Sequence, residues 1–159
     1  MIAQIKKLHL VKTLKEQKAL RALNDERAKL ELAEKALREK QQIAQKERVQ
    51  LPERQDALFR EVLRQIISSE KLEEVKEKAR LLEAEVKRLE DAAERAAYVV
   101  DKTRKNVEEA RVEYQKALRV RDKYGKISED LIAQSLLAAE ASEEQEVEEQ
   151  FSGRRQDTL

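Results

Sequence analysis

The sequence predicts an all-α protein, a long antiparallel two-helix coiled-coil hairpin with its turn near residues 66–70. Two observations carry that prediction: a heptad stripe of unusual length and a composition suited to extended helices. From Leu72 to Tyr124 the apolar positions advance by three, then four, then three: Leu72, Val75, Ala79, Leu82, Val86, Leu89, Ala93, Ala96, Val100, Val107, Ala110, Tyr114, Ala117 and Tyr124. Only Thr103 and Arg121 interrupt the series. A mean step of 3.5 residues keeps one side of a helix against a partner through a left-handed supercoil. The chain has 159 residues, 42% charged and 3% aromatic, with two glycines and one proline. Globular domains carry about 25% charge, whereas long helices are rich in Ala, Glu, Lys, Leu and Arg. High charge with few aromatics also marks disorder, but the regular stripe and a net charge of +1 argue against it.

The first arm is expected over residues 2–66. Leu23, Leu30, Leu37, Ala44, Leu51 and Leu58 hold one heptad position. The complementary position mixes Ala19 and Ala33 with Glu26, Lys40 and Glu47, which predicts a looser seam. Pro52 removes a helical hydrogen bond and clashes with the preceding turn, at about 3 kcal/mol. It predicts a kink or short break near Gln50-Leu51, against the alternative of a bent but continuous helix. Ser68-Ser69 is the turn candidate, because a serine N-cap followed by Glu70, Glu73 and Glu74 suits the start of a helix. That placement gives matched arms, 2–66 and 70–133, each about 95–100 Å long at 1.5 Å per residue. The alternative is one continuous helix paired with a second chain. Past Tyr124 the series loses register at Gly125; a helical tail is expected to about residue 150, and residues 151–159 are expected to fray. The whole chain, 1–159, then reads as a single elongated unit.

Charge is polarised although it nearly cancels. Residues 1–21 have a net charge of +5, and residues 129–159 a net charge of −7. In a hairpin these stretches share one end, where they can favour the antiparallel register or present charge to a partner.

The chemistry of catalysis is missing from the sequence. A two-helix hairpin offers no concave site. Glycines at 125 and 153 alone cannot make a phosphate-binding loop, and a single histidine, His9, excludes a paired-histidine metal site. His9 is expected on a solvated helix face. The abundant carboxylates are expected in solvent or in pairs such as Glu31–Lys35, worth a few tenths of a kcal/mol. No enzyme activity, cofactor or metal is expected. No cysteine means no disulfide, which allows a reducing cytoplasm. No apolar run approaches a membrane span, and the N-terminus lacks a signal-peptide pattern, so a soluble, unprocessed protein is expected.

The basic stretch lacks the interleaved aromatics of a nucleic-acid surface, so no nucleic-acid partner is expected. Ile2, Ile5, Leu8 and Val11 with nearby lysines could form a membrane-surface helix. Without an aromatic anchor they are expected to continue the seam, with no direct membrane insertion. Tyr114 and Tyr124 fall on the seam. Phe59 and Tyr98 lie off it and are candidates for partner contact, as exposed aromatics anchor many interfaces.

The opening I-x-x-L-x-x-V-K-x-L (Ile5, Leu8, Val11, Lys12, Leu14), the mid-chain turn, Ser69 to Val75 after it, and the Glu/Gln-rich tail together resemble the YscO family of type III secretion proteins, whose flagellar counterpart is FliJ. Lys15 stands where that pattern often has arginine. The resemblance covers most of the chain. It implies a monomeric stalk, similar to the shaft of a rotary ATPase, that enters the hexameric secretion ATPase and links it to the cytoplasmic domain of the export gate. Secretion chaperones are a further implied partner, and the implied location is cytoplasmic, peripheral to the inner-membrane apparatus and associated with virulence. On this basis Lys6, Lys7, Lys12, Lys15 and Arg21 are candidates for ATPase binding, and Phe59 and Tyr98 for the export gate or chaperones. The alternatives are a coiled-coil escort of chaperones or substrates and a structural dimeric tether.

Overall fold

The computed structural model describes residues 1–64 and 68–157. It contains two helices, α1 (Ile2–Leu63) and α2 (Ser69–Asp157), packed against each other as an all-α helical hairpin. Ile66 and Ile67, within the expected turn, and Thr158 and Leu159, in the expected frayed end, lie outside the described residues. Ser68 caps α2: its Oγ accepts from the Lys71 N–H at 3.4 Å and its carbonyl accepts from the Leu72 N–H at 3.3 Å. One otherwise orphaned donor of the first turn is thereby satisfied, and Glu70 adds a charge of favourable sign.

α1 continues through Pro52 without the short break expected near Gln50-Leu51, in keeping with the continuous alternative. Leu51, only 5% exposed, is anchored in the seam on one side of the proline. On the other side, Gln55 Nε2 donates to the Ala79 carbonyl at 3.3 Å. Cross-helix packing thus holds both flanks of the residue that weakens the local ladder. At the other end, α2 remains helical through 151–157, where fraying is expected from the sequence. Only Gly153 in that stretch is a poor helix former, and no residue among 140–157 is proline.

The chain divides into two compact units, a terminal unit of Met1–Leu23 with Ala110–Leu159 and a turn unit of Asn24–Glu109. In the turn unit the core is a narrow apolar seam. Ala44 and Leu51 of α1 and Ala79, Val86, Ala93, Ala96 and Val100 of α2 are buried. The alternation of alanine with larger residues lets the two backbones approach closely, as interdigitating knobs require. Register is antiparallel: Gln55 reaches Ala79, Arg48 pairs with Glu90, and Arg104 pairs with Glu34 at 3.4 Å. Thr103, an interruption in the stripe, bonds its Oγ1 to the Val99 carbonyl at 2.7 Å, so its hydroxyl is satisfied within its own helix. Glu26 is the poor seam position made visible. One carboxylate oxygen accepts from Lys29 at 3.3 Å, while the other is covered with no partner among the described residues.

The terminal unit is also antiparallel, but its seam is polar over its middle, between Ala19–Leu20 and Ile5 of α1. Leu23, 2% exposed, is its one buried large apolar side chain among the described residues. Beyond it toward the N-terminus the inward positions are Leu20 and Ala19, then Glu16, Thr13, Lys12 and His9, then Ile5 and Ile2. Leu8 and Val11, expected on the seam, are exposed instead. The 3-4 alternation that contains Leu23 and Leu30 passes through Glu16 and His9 when followed backwards, and packing obeys that alternation over local hydrophobicity.

Candidate protein-interaction site

Where the terminal unit's seam turns polar, the side chains are matched across the helices. Glu16, 5% exposed, receives Arg121 Nη1 at 3.5 Å. Arg121 also donates from Nη2 to Asp122 Oδ1 at 2.9 Å. That hydrogen bond, chiefly, and the nearby Asp122, Glu16 and Tyr114 oxygens hold the guanidinium above its ordinary pKa, against partial desolvation. Lys12 Nζ lies 5.6 Å over the Tyr124 ring, within cation–π range. His9 lies beside Gly125: a Cβ built on residue 125 would stand 3.1 Å from His9 Nε2. His9, expected on a solvated face, is half-buried, because the one helical glycine of this stretch leaves room for its ring. Thr13 Oγ1 donates to the His9 carbonyl at 2.9 Å.

Glu16 as a seam residue was missed from the sequence, and so was the buried Ser128. A signal existed for Glu16. Arg121 breaks the α2 stripe, Glu16 breaks the α1 alternation, and opposite charges at facing breaks point to a paired layer.

The predicted contact residues sit in different surroundings. Lys6, Lys7, Lys15 and Arg21 are exposed on α1, whereas Lys12 is half-buried and occupied with Tyr124. Tyr98 is 70% exposed and has exposed Val99 beside it, while Phe59 is half-buried. A shallow groove in the terminal unit runs between Lys12, Lys15 and Ala19 of α1 and Glu113, Lys116 and Ala117 of α2. Among the described residues no group of three or more His, Cys, Asp or Glu could hold a metal ion, and no helix is long and apolar enough to cross a membrane.

Taken together, a helical hairpin with a charged outer surface defines a class, the coiled-coil interaction proteins. The family is narrower than that class. The model of the type III secretion protein YscO family matches residues 5–153, nearly the whole chain, and the chain belongs to that family as a type III secretion component. Comparison with curated proteins and with solved structures gives no match.

Proposed function

We propose that this protein acts without catalysis as a stalk: it inserts into the hexameric secretion ATPase, links that ring to the cytoplasmic domain of the export gate, and so supports protein export. The observation that carries the reading is the family match across residues 5–153. Lys6, Lys7, Lys15 and Arg21, exposed on α1, are the groups proposed to meet acidic surfaces of the ring, with Lys12 held back by Tyr124. A single asymmetric hairpin inside a six-fold ring must touch its subunits unequally. It biases their conformations only insofar as its contact free energy differs between subunit states. Tyr98 and Phe59 are the proposed contacts to the export gate or to chaperones, and the site of action is the cytoplasmic face of the inner membrane.

Reversing Lys6, Lys7, Lys15 and Arg21 to glutamate is expected to abolish binding to the cognate hexamer and stimulation of its ATP hydrolysis. Retained binding and stimulation would sink the assignment of these residues. The escort of secretion chaperones is a second reading, favoured by the exposed Tyr98–Val99 pair. It predicts chaperone binding that Tyr98→Ala weakens, with no effect on the ATPase.

A further inference from the structure

In the terminal unit α1 and α2 face one another only as far as Ile132, the last half-buried residue of α2. From residue 133 to residue 154 every residue is exposed. This overhang, about 37 Å of helix, is not uniformly polar. Leu136, Glu140, Glu143, Val147 and Phe151 follow at steps of three and four and so share one face, and Leu136, Val147 and Phe151 are each more than half exposed. Between residues 140 and 149 there are six glutamates and no basic residue. A shallow depression beside Val147 is rimmed by Glu140, Glu143, Glu144 and Glu148.

The same unit carries the complement. On α1 the side opposite the Ile5–His9–Glu16 seam presents Lys6 and Lys7, then Leu10, Val11 and Leu14, then Lys18, all exposed. Leu10 and Leu14 are each more than half exposed. Apolar residues surrounded by one sign of charge on one helix, and by the other sign on its counterpart, have the pattern of partner surfaces. The overhang cannot reach this face within its own chain, because α2 stays helical to Asp157 and carries it away from α1.

We propose that the overhang docks on the outer face of α1 of a second copy of this chain, and that the exchange is mutual. Within one terminal unit the helices are antiparallel. An overhang therefore runs parallel to the α1 of a copy related by a two-fold axis at that end. In that direction the two stripes match in order: Glu143 and Glu144 meet Lys6 and Lys7, Val147 meets Leu10 and Val11, and Phe151 meets Leu14. The arrangement is isologous and closes at two chains. It does not depend on the stalk reading, but it covers Lys6 and Lys7, so a paired chain could not offer them to an ATPase.

The purified full chain is examined by sedimentation equilibrium across protein concentration, at low and high salt. A two-chain particle that dissociates as salt rises is expected, since the contact includes exposed charges. Glu143→Lys with Glu144→Lys is expected to weaken pairing at least about tenfold, as is Lys6→Glu with Lys7→Glu. All four reversals in one chain restore it. Circular dichroism checks that helicity is retained, which these exposed positions should allow. A one-chain mass at every concentration overturns the proposal, as does a two-chain particle indifferent to the reversals. Capture of only basic foreign helices by the overhang, with no self-association, would also overturn it.

Discussion

The turn unit and the terminal unit use the same antiparallel geometry with different chemistry at the middle of the seam. In the turn unit, alanine and valine from α2 meet leucine and alanine from α1, and, Glu26 apart, the charges lie outside, as in Arg48–Glu90 and Arg104–Glu34. Such exposed pairs are each worth at most about 1 kcal/mol, so the seam itself carries the stability. In the terminal unit the seam holds Glu16–Arg121, Lys12–Tyr124 and His9–Gly125. The Glu16–Arg121 pair is partly buried; once desolvation is counted such a pair contributes little net stability, yet it is intolerant of misalignment. The contrast points to a division of labour: apolar packing makes the turn unit cohere, and polar matching is expected to select the register of the terminal unit.

The sharpest way to break this contrast is in the turn unit. Leu51→Ala removes a buried side chain beside Pro52 and is expected to cost about 2–4 kcal/mol in denaturant unfolding followed by circular dichroism. Amide exchange should accelerate across residues 44–58 in the same variant.

A smaller effect is expected in the terminal unit, and its sign depends on which partner is removed. Arg121→Met leaves the Glu16 carboxylate in the seam without its cation, so stability falls. Replacing both, as Glu16→Leu with Arg121→Leu, should recover or exceed the original stability. If the polar pair sets register, spin labels at residues 14 and 123 should then show a broader distance distribution than in the unaltered chain. An unchanged distribution would leave register to the apolar residues alone.

The smallest change expected is at Gly125. Gly125→Ala improves helix propensity by about 1 kcal/mol, and its methyl group would press on His9 Nε2, the tip of a half-buried ring that can swing outward. A modest gain in thermal midpoint is expected, rising further with His9→Ala. Equal gains in both backgrounds would show that the ring already moves freely.

The hairpin was legible in advance because its signals are local and repetitive. The Leu72–Tyr124 stripe, the serine at 68 and the following glutamates describe α2 and its cap without reference to anything distant. The secretion family could likewise be recognised from the opening motif and the pattern along the chain. Of the candidate site, the exposure of the basic residues Lys6, Lys7, Lys15 and Arg21 could be picked out from sequence. The inward positions of Lys12 and His9 could not, because hydrophobicity pointed to Leu8 and Val11 instead, and Glu16 was signalled only by the facing break at Arg121. Sequence by itself determined the periodicity, the helix start and the polar distribution, since these follow from spacing and side-chain chemistry. The tertiary structure decided which stripe of the first twenty residues turns inward. Only there does Arg121 receive Glu16, does Gly125 make space for a ring, and does the 3.5-residue step shared by two packed helices outweigh the hydrophobicity of any one residue.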